Sequence, residues 1–381
     1  MGSYTSNITK KQRLKGMKKK TKNNSQYFQA DFSLLKSIAS KGDFRLLSAM
    51  LVLNRFANGI PKTPKEQPFS ITYAGAKAIS EHLNCRWETG KQLQTELFLN
   101  GYISRLKQAQ RTLFKINYTA LNINLPVAFV DSINQVDSVI YRINHAENVT
   151  ESEKLNILML LLTFYKNLSM SELGGFNGVF QEWDIEKTHF DTTDALIRLS
   201  ASNTNEQKAY NSFIQDFLPS QDAVITQENS ELFWETIPQL KQLGLIYEVI
   251  VLLEKQHPKQ QPELIFTIRI NDYHADNADF SYVSSAMDSS IAYYGNKDFN
   301  YDVDELYDEE MSLNNSTIGS KAIRLVIPYT PDKQYEILTI YRPRFRFSHP
   351  DIARWQKMEE ENISHFIDEV DKSLQCEREK N

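Results

Sequence analysis

An α+β fold, built from two copies of one pattern and closed by a mixed C-terminal extension, is what the sequence predicts. Three observations predict it. Residues 68–121 read as a short strand, two helices separated by a tight turn, and a two-stranded hairpin. Residues 231–272 repeat the closing half of that pattern, a helix that runs through glycine into a strand and its return. Residues 321–341 read as a further hairpin, and residues 350–375 as a last helix.

Length and composition set the frame. A chain of 381 residues is too long for one ordinary core, so two or three domains are expected. Apolar residues make up 41% and charged residues 24%, the balance of a globular protein. No apolar run reaches membrane-spanning length; the most apolar stretch, 155–164, is short and broken by Asn156. No secretory leader opens the chain, and Cys85 and Cys376 lie far apart without metal-ligand spacing. A cytoplasmic protein with two inert thiols is the reading. The net charge of −5 argues mildly against a nucleic-acid partner, but it averages two opposed segments. Lys10, Lys11, Arg13, Lys15, Lys18, Lys19, Lys20 and Lys22 form a run without an acid, whereas 272–310 holds eleven carboxylates against Lys297 alone.

In chain order, residues 1–30 read as a disordered basic arm. It is either an arm that lies along a phosphate backbone or a solubilising tail. Gly2 and Ser6 also fit the loose acylation pattern. Residues 31–125 form the first domain. A helix over 43–58 has Asp43 as N-cap and apolar Phe44, Leu47, Met50, Leu51 and Leu53; Gly59 and Pro61 end it. Residues 69–72 begin a strand. A helix over 73–83 turns Ala76, Ile79 and Leu83 inward, Asn84 and Cys85 make the turn, and a second helix spans 86–100 with Trp87, Gly90, Leu93 and Leu97 inward. Gly101 closes it in the left-handed conformation, and two strands follow, joined at Ala109 and Gln110, with Leu113 or Phe114 and then Ile116 inward.

This arrangement over 43–121 resembles the winged helix–turn–helix superfamily. The resemblance implies that the second helix enters a DNA major groove and the hairpin follows the backbone or minor groove. Carried onto this sequence, the outward residues of the helix are Arg86, Glu88, Thr89, Lys91, Gln92 and Thr95, and the hairpin contributes Arg105, Lys107, Gln108, Gln110 and Arg111. Arg86, Lys91 and Gln92 suit phosphates or base edges. Arg105, Lys107 and Arg111 suit the backbone, with Lys18, Lys19 and Lys20 of the arm adding salt-dependent affinity. Glu88 and Glu96 speak against a reading helix, and a winged helix used for protein contact is the competing interpretation.

Residues 126–272 form the second domain. A connector leads to a capping box at Thr150, which opens an all-apolar helix over 154–168, either buried core or shared across a dimer interface. Further helical pieces are expected at 194–199 and 206–218. Gly174, Gly175 and Gly178 lack the pattern of a phosphate loop. A helix over 231–243, kinked at Pro238, precedes the second hairpin, 246–255 and 263–270. Its Glu228, Glu231 and Glu235 would repel phosphates, so this copy reads as a scaffold or pairing domain, with Lys255 and Lys259 as the available backbone contacts.

Residues 273–320 read as an acidic linker, a solvated loop or an internal mimic of DNA charge. The extension over 321–381 has its hairpin turn at Thr330, Pro331 and Asp332. It carries Arg342, Arg344 and Arg346 on one side of an extended chain, facing phosphates or the acidic linker. The histidines are scattered, and no nucleophile elbow, phosphate loop or dinucleotide fingerprint is present. The expectation is a protein without catalysis, metal or cofactor. It would bind specific double-stranded DNA, as a homodimer, in transcription regulation; a plasmid- or phage-type replication initiator and a protein-interaction scaffold are the alternatives.

Overall fold

The computed structural model describes residues 27–59, 69–108, 111–120, 122–131, 138–168, 178–190, 193–218, 224–255, 263–269, 322–328, 333–344 and Lys372. The fold is α+β. Residues 1–26 of the basic arm, the acidic segment and the predicted C-terminal helix, Lys372 excepted, lie outside the described residues. Tyr27–Ala30, expected to be disordered with the arm, form a strand instead, because they pair with Ile123–Pro126.

Two short aspartate caps begin the first half. Strand β1 (Tyr27–Ala30) ends at Asp31, whose Oδ1 accepts from the backbone N–H groups of Ser33 and Leu34 and starts helix α1 (Phe32–Ala39). Asp43 caps helix α2 (Phe44–Arg55) in the same way, through Arg45 and Leu46. Each cap satisfies N–H groups that a helix start leaves without partners. Helix α1 was not anticipated, although Asp31 followed by Phe32, Leu35 and Ile38, all buried, carries its signature.

Strands β2 (Ala57–Gly59) and β3 (Phe69–Thr72), helices α3 (Ala76–His82) and α4 (Trp87–Leu99), and strands β4 (Ile103–Gln108) and β5 (Arg111–Asn117) follow. The strands form one antiparallel sheet in the order β2-β3-β5-β4. Strand β6 (Ile123–Pro126) returns to pair with β1. The second oxygen of buried Asp31 accepts from Thr119 and Ala120 at 2.6 and 3.1 Å, so one carboxylate fastens the end of the hairpin to the first helix.

In the second half, helix α5 (Val139–Asn144) precedes α6 (Glu151–Lys166), which opens on the expected capping box between Thr150 and Glu153. Ten residues of α6, from Leu155 to Tyr165, are buried. It is a core helix, packed against α1, α2, α5 and β6 and against two helices that come later in the chain. Those are α7 (Asn211–Phe217) and α8 (Gln227–Gln242), which runs through Pro238. Strands β7 (Val179–Phe190), β8 (Thr193–Ala209), β9 (Ile246–Lys255), β10 (Glu263–Arg269), β11 (Ala322–Pro328) and β12 (Gln334–Pro343) build an antiparallel sheet in the order β10-β9-β12-β7-β8-β11.

Two expectations fail here. The segments 194–199 and 206–209 are strand, not helix: β8 pairs along β7 on one edge and with β11 on the other, and this pairing overrides local helical preference. Strands β11 and β12 are not a hairpin, because β7 and β8 stand between them. Strand β12 instead fills the gap between β9, which it pairs over ten residues, and β7. The expected turn at Thr330, Pro331 and Asp332 lies outside the described residues.

The two halves share a connectivity. In the first, a helix (α2) leads to a strand (β3), two helices (α3, α4) and two strands (β4, β5), with sheet order β3-β5-β4. In the second, α6 leads to β7, then α7 and α8, then β9 and finally β12, with sheet order β7-β12-β9. Strands β8, β10 and β11 are additions. One continuous hydrophobic cluster runs from Phe28 to Tyr341 and joins the halves. A polar clamp reinforces the junction: the Lys36 ammonium donates to the Gln215 carbonyl at 2.7 Å, and Lys166 pairs with Asp216 at 2.6 Å. Burial pushes the Lys36 ammonium below its ordinary range, with Asp216 opposing and Lys166 adding to the shift.

Candidate nucleic-acid interface

The turn before α4 and the turn after it fix how that helix stands. Asn84, at φ +48°, ends α3 in the left-handed conformation that asparagine tolerates, and the Cys85 N–H reaches back to the Ser80 carbonyl at 3.0 Å. Gly90 lets the two helices touch: a Cβ there would lie 2.5 Å from the Ala76 carbonyl oxygen. Gly101, at φ +76°, ends α4, and the Tyr102 N–H bonds the Leu97 carbonyl at 3.0 Å. Gly90, Leu93 and Leu97 are buried, which turns the opposite side of α4 to the surface.

That surface carries most of the predicted residues. Arg86 is the N-cap residue of α4 and is exposed; Lys91, Gln92 and Thr95 are exposed along the helix, and Thr89 is half-buried on its flank. The Thr95 hydroxyl donates to the Lys91 carbonyl at 2.8 Å. Trp87 departs from expectation. It is 52% exposed, not inward, because it precedes the first buried contact, Gly90, and lies on the flank beside Lys91. The Lys91 ammonium sits 5.2 Å from its ring centre, and the Arg105 guanidinium from β4 sits 5.2 Å from the ring of Phe98. Two cation–aromatic pairs thus line the side of α4 that faces the hairpin. Phe98 was not singled out from the sequence; its place one residue after inward Leu97 was the available signal.

The hairpin brings Lys107 opposite Thr112 and Arg111 opposite Gln108 at its tip, and both Phe114 and Leu113 are buried. Arg105 and Lys107 share one face of the backbone ladder and Arg111 lies on the other. Lys115, half-buried on β5, lies 4.3 Å from the Phe69 ring centre. Gln110, Lys18, Lys19 and Lys20 lie outside the described residues. Glu88 sits in the first turn of α4, where the helix dipole favours an acid.

The matched helix of the second half is built alike and faced differently. Gly244, at φ +62°, ends α8, with the Leu245 N–H on the Leu240 carbonyl at 2.9 Å. The exposed residues of α8 include Glu228, Glu231 and Glu235, and Lys241 is drawn to buried Glu248 at 2.7 Å. Of the arginine row, Arg342 lies in β12 and Arg344 just after it. Arg342 is buried, Arg344 crowds Gly244 with its guanidinium, and Arg142 donates to the Leu243 carbonyl at 3.2 Å beside it. Those groups sit at the negative end of the α8 dipole. Arg346 and Lys259 lie outside the described residues.

Elsewhere the chemistry is quiet. Burial pushes the half-buried Cys85 thiol up, with Arg45 opposing. Among the described residues, no group of three or more histidine, cysteine, aspartate or glutamate side chains is placed to hold a metal, and no helix is long and apolar enough to cross a membrane. Comparison of the chain with known protein families, curated proteins and solved structures finds no match.

Proposed function

We propose that this is a sequence-specific double-stranded DNA-binding protein of tandem winged-helix build, with a single reading head in its first half. One observation carries the reading: α4 presents Arg86, Lys91, Gln92 and Thr95 on the side away from the core, and the adjoining hairpin adds Arg105, Lys107 and Arg111. A helix held across a two-helix turn and flanked by a basic hairpin fits a major groove with its backbone on either side. The acidic face of α8 favours a supporting or pairing role for the second half. The basic run Lys10–Lys22 adds counterion-release affinity.

Selection of bound sequences from random duplexes tests the proposal. A specific site is expected, and the Lys91→Ala, Arg111→Ala double variant should bind it more weakly, with a salt slope reduced by about 1.8 for two lost phosphate contacts. No binding at low salt, or unchanged binding in the variant, sinks the reading. Action as a homodimeric transcriptional regulator predicts a single palindromic site. The two matched halves welded through α6 favour, as a second reading, a plasmid- or phage-type replication initiator, for which an iterated array of sites is the expected result.

A further inference from the structure

The composition of the α4 outer face bears on which bases are read, given the DNA-binding function proposed above. Taking Gly90, Leu93 and Leu97 as the buried side, the residues on the opposite side are Glu88, Gln92, Thr95 and Leu99, at helical spacing i, i+4, i+7 and i+11. All four are exposed, Leu99 by 77%. Eleven residues rise about 16 Å, the length of roughly five base-pair steps.

This stripe holds no arginine or lysine, and its one carboxylate, Glu88, lies in the first turn, one turn before Gln92, where the base it suits is cytosine through N4. The two cations nearest it are held to its side: Lys91 lies over Trp87 and Arg105 over Phe98, both toward the hairpin and the path of a backbone. Arg86 stands at the helix N-cap, the end that takes phosphates. Guanine is ordinarily recognised by a guanidinium or ammonium on O6 and N7, and the stripe offers neither. Gln92 instead matches adenine N6 and N7. Thr95 directs its hydroxyl proton to the Lys91 carbonyl, which leaves its methyl and its oxygen lone pairs for a base. Leu99 is purely apolar, and the one apolar feature of a major-groove edge is the thymine methyl.

We infer that the head reads A·T pairs over the stretch from Gln92 to Leu99, with Gln92 on adenine and Thr95 and Leu99 on thymine methyl groups, while Arg86, Lys91 and Arg105 hold phosphates.

The experiment uses the full chain and the duplex obtained by selection, with a second duplex in which every thymine is replaced by deoxyuridine. That exchange removes the methyl groups and keeps every hydrogen bond. The wild type should lose about fourfold in affinity for each contacted methyl, about 15-fold for two. Thr95→Ser combined with Leu99→Ala should bind the two duplexes alike, and Arg86→Ala should weaken both equally. Equal wild-type affinity for the two duplexes overturns the inference and leaves DNA binding standing. A selected site without thymine in its core, or full discrimination retained in the Thr95/Leu99 variant, does the same. Loss of self-association in Leu99→Ala with discrimination intact also overturns it, and assigns the patch to a protein contact. Absence of binding to any duplex overturns the function reading and this inference together.

Discussion

Replacing the glycine that ends each matched helix separates backbone strain from crowding, because the two sites share a conformation and differ in their surroundings. Gly101 and Gly244 both have positive φ, +76° and +62°, and both are followed by an N–H bonded five residues back, to Leu97 and Leu240. Around Gly101 a Cβ would meet nothing within 4 Å. Gly101→Ala therefore incurs the left-handed penalty alone, about 1–2 kcal/mol. At Gly244 a Cβ would lie 2.8 Å from Arg344 Nη1 and 3.2 Å from Arg142 Nη1. Those guanidiniums can swing away, but Arg142 then loses its bond to the Leu243 carbonyl, a charged hydrogen bond of about 1.5–3 kcal/mol when buried and less here. Gly244→Ala should thus cost about 2–4 kcal/mol. The assay is urea unfolding at unchanged slope. With a slope of about 3 kcal/mol per molar, the midpoint falls by about 0.3–0.7 M for Gly101→Ala and by about 0.7–1.3 M for Gly244→Ala. Gly101→Asn should lose less than Gly101→Ala, since Asn84 already serves in this conformation at φ +48°. Equal losses at the two glycines, or a larger loss at Gly101, would refute the argument from their surroundings.

Other parts of the scaffold give further expectations. Asp31→Ala removes a helix cap and the bonds to Thr119 and Ala120, so stability should drop by about 2–4 kcal/mol in a urea titration, and Asp31→Asn should recover part of it; a change under about 0.5 kcal/mol contradicts the role given to this carboxylate. Lys36 has its folded pKa lowered from 10.5, so between that lowered value and 10.5 the unfolded chain binds more protons and stability rises with pH. Lys36→Met should flatten that alkaline rise in unfolding measured across a pH series, and an unchanged slope argues against a buried ammonium. In a Cys376→Ser background, Cys85 should react with a thiol reagent at neutral pH more slowly than a cysteine in a short peptide, because burial raises its pKa; equal rates would show the thiolate to be accessible.

Much of the first half was legible in the sequence because its signals are local. Asp43, Asn84, Gly101 and the Thr150–Glu153 box each act on backbone within a few residues, and each stands where the sequence placed it. The inward stripe of Ile79, Leu83, Leu93 and Leu97 was readable for the same reason. What was not legible depends on partners remote in sequence. Residues 194–199 pair as strand because β7 and β11 flank them, and β12 reaches its place beside β9 only after a long excursion of the chain. Trp87 misled because a large aromatic at the start of an amphipathic helix fits either side until the crossing helix is known. The tight approach at Gly90 puts that crossing on the other side.

Aligning Gly101 with Gly244 shows where the two halves had to agree and where they were free to differ. Leu97 falls on Leu240, both buried, and the turn bonds match one for one. These positions are set by the junction of helix and sheet, which permits one backbone geometry. Gly90 falls on Phe233, also buried: where α3 and α4 touch through a missing side chain, α8 carries a phenyl ring that packs on Phe164 and Phe217. The helices of the second half are therefore spaced by an aromatic layer. On the outer face the constraint relaxes: exposed Gln92 falls on exposed Glu235, while exposed Lys91 falls on Trp234, which is half-buried against the core. A repeated scaffold with opposed surface charge would not give two equal DNA contacts. An acid such as Glu235 in the position of Gln92 replaces an amide that matches adenine with a carboxylate that phosphates repel. On the proposed function, transplanting the α8 face onto the head by Lys91→Trp and Gln92→Glu should therefore abolish specific binding. Urea stability should stay within about 0.5 kcal/mol, because both positions are exposed. A variant that unfolds instead would show that Lys91 and Gln92 serve the fold, and one that still binds its site would remove α4 from the interface.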